Sequence, residues 1–142
     1  VPEGTALLFP VVNSVNFNAP HVCGQRGSLS IKELRAASAS FIDGVSSLQV
    51  NLDGTPITNM QRVQSVVFDV ALPEDNVFDS PCANIGNVPA GIFSPGVDDG
   101  FYVLLNPLKA GNHTLQFHAE NRSQNFSTDV TYNLTVVPVS LK

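Results

Sequence analysis

The stretch Phe126-Ser127-Thr128-Asp129-Val130-Thr131-Tyr132-Asn133-Leu134-Thr135-Val136 decides the fold. Phe126, Val130, Tyr132, Leu134 and Val136 recur at every second position, with Thr128 the one soft place in the row. The positions between them are all polar: Ser127, Asp129, Thr131, Asn133 and Thr135. A period of two over this length describes a strand with one face in a core and the other in water. A half-solvated strand belongs to an antiparallel sheet, because parallel sheets bury both faces. No catalytic or cofactor motif lies on it.

Working outward, Asn112 to Ala119 and Phe101 to Leu105 read as further strands, joined by a turn from Pro107 to Gly111. Val45 to Leu52 alternates as well, with Leu48, Val50 and Leu52 inward. Asp53-Gly54 then signals a tight turn into a short return strand at 55–58. Arg62 to Leu72 reads as one strand, and Thr5 to Val12 as another, whose Pro10 suggests an edge or a bulge. Residues 13–27 read as loop. Ser30-Ile31-Lys32-Glu33 fits a capping box. Behind it, Ile31, Leu34, Ala37, Ser38 and Phe41 fall at helical spacing, and Gly44 ends the run. Pro73 to Gly100 reads as one long irregular stretch, pinned by Cys82. Six or seven antiparallel strands with one short helix and a long irregular loop imply an all-β, antiparallel two-sheet sandwich occupying residues 1–142 as a single domain. Immunoglobulin-like and jelly-roll topologies both stay open. The Cys-Trp-Cys hallmark of antibody domains is absent, since the chain has no Trp.

Composition narrows the setting. The chain has 142 residues, enough for a sizeable core. Charged residues make up only 13%, against about 25% in an average globular domain, and Ser, Thr, Asn and Gln take their place. The net charge is −5, and the seven basic residues are scattered. With no basic stripe, nucleic acid and anionic membranes are poor partners. No run reaches the ~20 apolar residues of a membrane helix, so membrane insertion is not expected. The chain opens at Val1 without a signal pattern, which reads as a mature or excised segment. Cys23 and Cys82 lie in loop-like sequence, and in an oxidising compartment they are expected to pair as a disulfide.

The candidate chemistry is sparse. Asp98-Asp99-Gly100 is the best acidic pair: it reads first as a turn, in which Asp accepts local backbone bonds and Gly takes positive φ, with a calcium site as the weaker alternative. His113 reads as a hydrogen-bonded structural residue at the start of its strand, and His118 as a surface residue on the opposite face. No Gly-x-Ser-x-Gly elbow, P-loop, Gly-x-Gly-x-x-Gly or His-Glu-x-x-His is present, so no catalytic residue is assigned. Asn112, Asn121, Asn125 and Asn133 each head a glycosylation sequon, usable only if the source glycosylates. Phe78, Phe93 and Tyr102 are the aromatic residues available as stacking platforms for a polysaccharide.

Several local motifs occur in a characteristic order: Leu7-Leu8-Phe9-Pro10-Val11-Val12-Asn13, Glu33-Leu34-Arg35, Val50-Asn51-Leu52-Asp53-Gly54-Thr55-Pro56, Asp99-Gly100-Phe101-Tyr102, Asn106-Pro107-Leu108, Gly111-Asn112-His113-Thr114 and Val130-Thr131-Tyr132-Asn133-Leu134-Thr135-Val136. In this order, from about Thr5 to Pro138, the chain resembles a group of secreted bacterial β-sandwich proteins of uncharacterised function. The resemblance implies export and a sandwich, and it implies no activity. The expected role is therefore a non-catalytic extracellular module. It would act by self-assembly with copies of itself as an oligomer or filament, or by surface recognition. A polysaccharide-binding module and a small secreted hydrolase or carbohydrate-active enzyme, with Asp98, Asp99 and a histidine converging, are the alternatives.

Overall fold

The computed structural model describes residues 1–82 and 88–139. Its elements are β1 (Leu7–Phe17), α1 (Ile31–Asp43), β2 (Ser47–Leu52), β3 (Thr55–Pro56), β4 (Gln61–Gln64), β5 (Phe68–Leu72), the short α2 (Asp79–Cys82), β6 (Gly91–Leu105), β7 (Gly111–Asn121) and β8 (Phe126–Val136). One sheet runs β1-β6-β4, with β5 also on β6; the other runs β3-β2-β7-β8. The chain divides into two compact units. The first comprises Val1–Asn13, Phe41–Val63 and Gly100–Lys142, and the second Ser14–Ser40 and Gln64–Asp99.

The first unit is a sandwich. Val11, Val12, Val103 and Leu105 from one sheet meet Val50, Leu115, Phe117 and Ala119 from the other, with Ile42 among them. Phe9 stacks on Phe117 at 5.5 Å between ring centroids. The alternating stretch forms β8, which pairs antiparallel with β7 from Asn121↔Phe126 to Gly111↔Val136 without a slip. On its other side β7 pairs with β2, Ser47↔Glu120 through Leu52↔Leu115. The turn after β2 is where the Asp-Gly dipeptide places it, with Asp53 and Gly54 both at positive φ.

In the second unit the capping box forms as expected. Glu33 accepts from the Ser30 backbone N–H at 2.8 Å and from its hydroxyl at 2.6 Å, and the Glu33 N–H donates back to Ser30 Oγ at 3.3 Å. The Ser30 hydroxyl, then its N–H, hold the Glu33 carboxyl below the usual range. Cys23 and Cys82 form the disulfide.

The strand boundaries depart from the sequence reading in three places. β1 continues past Val12 to Phe17, with Pro10 inside it and the strand at the edge of its sheet. The expected strand from Arg62 to Leu72 is two strands, β4 and β5. Ser65 lies between them, its N–H donating to the Asp98 carbonyl at 2.9 Å while its hydroxyl accepts from the Asp98 N–H. The irregular stretch ends at Gly91 instead of Gly100, because β6 takes in Gly96, Asp98, Asp99 and Gly100. Those glycines are in the strand for lack of room. A Cβ at Gly96 would lie 3.1 Å from the Phe68 ring and carbonyl, and one at Gly100 only 2.5 Å from Asn13 Cβ.

Candidate functional site

Among the described residues, the first unit presents three surfaces on which candidate side chains are grouped. The first is the loop end of β7. His113 Nδ1 lies 2.7 Å from Asp53 Oδ2, and Nε2 lies 2.9 Å from the Lys109 carbonyl oxygen. The other Asp53 oxygen accepts from the Thr114 N–H at 2.8 Å. Both partners of the imidazole are acceptors, an arrangement that favours the doubly protonated ring. The Asp53 hydrogen bond, then the Lys109 carbonyl, push His113 up, while His113 and the Thr114 N–H bring Asp53 down. In a Ser-His-Asp triad the second nitrogen faces the nucleophile. Here it faces a carbonyl, so this histidine is a structural clasp.

The second surface is the outer face of β2, β7 and β8. Register places Gln49 beside His118 beside Asp129, and Asn51 beside Gln116 beside Thr131. Together they floor a shallow polar depression of about 240 Å³. His118 Nδ1 and Asp129 Oδ1 are 2.9 Å apart. Among the described residues no hydroxyl or thiol is hydrogen-bonded to His118.

The third is a groove of about 430 Å³ on the outer side of the other sheet, lined by Leu8, Asn59, Gln61, Val63, Tyr102, Leu104 and Asn106. Leu8 is 68% exposed and Leu104 59%. Among the described residues no charged side chain lines the groove. Sequence reading picked out only Tyr102 here. A signal for the rest was present: the runs Leu7-Leu8 and Val103-Leu104-Leu105 are apolar in both phases of the strand, the pattern of a strand covered on both faces.

Asp98 and Asp99 are buried strand residues, not a turn. As neighbours on one strand their side chains leave opposite faces, so they do not converge on one ion, and Gln64 Nε2 donates to Asp99 at 3.0 Å. Among the described residues no group of three or more His, Cys, Asp or Glu could hold a metal ion. Phe78 and Phe93 are half-buried and pack on Phe17, with centroids 5.3 and 5.5 Å away. Asn112, Asn125 and Asn133 are exposed. Asn121 is fully buried and its amide is engaged, which leaves no room for a glycan on it. Among the described residues no helix is long and apolar enough to cross a membrane.

No family model matches the chain, and neither a curated protein nor a solved structure is similar to it.

Proposed function

We propose that this chain is a secreted, non-catalytic assembly module that works by packing against further copies of itself. The observation that carries this reading is the groove around Tyr102. A contiguous row of aliphatic side chains, Leu8, Val63 and Leu104, stands in solvent across three neighbouring strands with no charge among them. Exposed apolar surface of that kind marks a contact awaiting a partner. The disulfide and the motif-order resemblance support an extracellular setting. The test is light scattering over a concentration series. Mass is expected to rise above 15.1 kDa and to be lower in Leu104→Asp than in the native chain at the same concentration; a strict monomer at every concentration overturns the reading.

A second reading has its own observation. Tyr102 is flanked by the amides of Asn59, Gln61 and Asn106, an aromatic face beside uncharged donors and acceptors, which suits a neutral polysaccharide. Binding of a soluble glycan that disappears in Tyr102→Ala while mass stays monomeric would replace assembly with this alternative.

A further inference from the structure

The long edge of β8 is a second place where this molecule is unfinished, and the backbone shows which of its groups are offered. Residues Val1–Glu3 run beside the end of the strand, Pro2 bridging to Val137 in parallel. The Val1 amino group donates to the Thr135 carbonyl at 2.8 Å, the Val137 N–H to the Val1 carbonyl at 2.9 Å, and the Glu3 N–H to the Val137 carbonyl at 2.8 Å. Thr135 and Val137 therefore turn their backbone polar groups away from β7. Because those groups alternate sides along a strand, and the β7 pairing has no slip, Ser127, Asp129, Thr131 and Asn133 turn theirs outward too. Among the described residues nothing pairs with this part of the edge.

Natural sheets guard such an edge with proline, lysine, a bulge or brevity. β8 is eleven residues long, with no proline, no lysine and a single charge, Asp129. The row that faces inward is also incompletely covered: Tyr132 is 51% exposed even though its ring lies 6.0 Å from that of Phe117.

We infer that β8 pairs antiparallel with β8 of a second copy, with Val130 opposite Val130 across a two-fold axis. The choice of a second copy rests on the assembly reading above; the register comes from the strand itself. An antiparallel self-pair keeps apolar residues opposite apolar ones only if a residue, not a peptide bond, lies on the axis. Centring on Asp129 sets two like charges directly opposite each other. Centring on Thr131 sets Ser127 against Thr135, whose carbonyl already serves Val1. Centring on Val130 sets Asp129 against Thr131 and Ser127 against Asn133. Every outward group from Ser127 to Asn133 then finds a partner, and Tyr132 is covered beside Thr128. The result is a sheet continued through two molecules by the same kind of strand addition that Val1–Glu3 already makes at one end.

The experiment is a single-cysteine scan of residues 127–133 under mild oxidation, read as covalent dimer, beside light scattering of the unmodified chain. Dimer yield is expected to peak at Val130→Cys, at least tenfold above Asp129→Cys and Thr131→Cys alone. The pair Asp129→Cys with Thr131→Cys in one chain lies on the solvated face, so it tests the same register should Val130→Cys not fold. A peak at Thr131→Cys overturns the register. Association in solution with no link anywhere along β8 overturns the edge pairing while leaving the assembly reading standing. A monomer at every concentration overturns both.

Discussion

Asn121 Nδ2 donates to the carbonyl oxygen of Phe41 at 2.7 Å, across 80 positions of sequence. That oxygen belongs to the last turn of α1, where it also accepts from the Gly44 N–H at 3.2 Å. At the same time Asn121 Oδ1 accepts from Ser123 Oγ at 2.7 Å and from the Gln124 N–H at 3.2 Å, capping the short turn at 122–124. One fully buried amide thus closes one helix and opens another. Replacing this buried side chain with alanine removes all three hydrogen bonds, at a cost of roughly 1–3 kcal/mol, read as a lower denaturant midpoint for Asn121→Ala.

The same amide explains Gly44. Its φ is not left-handed, so the helix does not end there for the usual reason. A Cβ at Gly44 would lie 2.8 Å from Asn121 Nδ2 and 2.8 Å from Ser123 Oγ. Gly44→Ala is expected to cost roughly 1–3 kcal/mol by overpacking, and visibly less in an Asn121→Ala background, where part of the obstruction is gone. Equal costs in the two backgrounds would refute the steric explanation.

The His113–Asp53 clasp makes stability depend on pH in both directions. The folded His113 value is raised above its ordinary 6.5. Its contribution is therefore complete below about that pH and is lost as pH rises through the raised value. The folded Asp53 value is lowered below 3.8, so its contribution is complete above that pH and is lost as pH falls through the lowered value. Between roughly pH 4 and 6.5 both are present. Midpoints measured from pH 4 to 9 should fall on the alkaline side in the native chain and flatten in His113→Gln. A titration of the His113 ring by NMR at or below the ordinary histidine value would contradict the clasp.

Close approach of backbone at Gly100 gives a prediction about the sheet. A Cβ there would meet Asn13 Cβ at 2.5 Å and the Val12 carbonyl at 2.8 Å, within the first unit. Neither obstacle is the end of a flexible side chain. Gly100→Ala should cost at least as much as an ordinary overpacking substitution, roughly 2 kcal/mol or more, whereas Gly27→Ala, which meets nothing within 4 Å, should be near neutral in the same denaturation assay.

What was legible in the sequence follows from what is local. The alternation of Phe126–Val136, the Asp53-Gly54 turn and the Ser30–Glu33 box each depend on residues adjacent in the chain, and each forms where the pattern puts it. Asp98-Asp99-Gly100 reads as a turn because the same residue types serve turns and tight strand packing. Only the nearness of Asn13, far away in sequence, separates the two. Asn121 reads as a sequon for the same reason: three residues define the motif, and the helix end that buries it lies 80 positions earlier. Of the candidate site, Tyr102 could be found alone; Leu8, Asn59 and Asn106 join it only once β1 and β4 flank β6.

Cys23 and Cys82, both in the second unit, close a loop of 59 positions. Constraining a loop of that length in the unfolded chain contributes about 4 kcal/mol on the loop-entropy account. Folded contacts around it add little regular structure: Gln25 holds the Ala19 N–H at 3.0 Å and the Asn18 side chain at 2.9 Å, and Asp79 holds the N–H groups of Asn76 and Val88 at 3.0 and 3.1 Å. Those bonds depend on the loops staying together. Replacing both cysteines with serine should therefore lower the denaturant midpoint and raise hydrogen exchange first at Ala19, Asn76 and Val88. Reductant should bring the native chain to the variant's midpoint and leave the variant unmoved. Equal midpoints for the oxidised native chain and the variant would show that the other contacts hold these loops without the bridge.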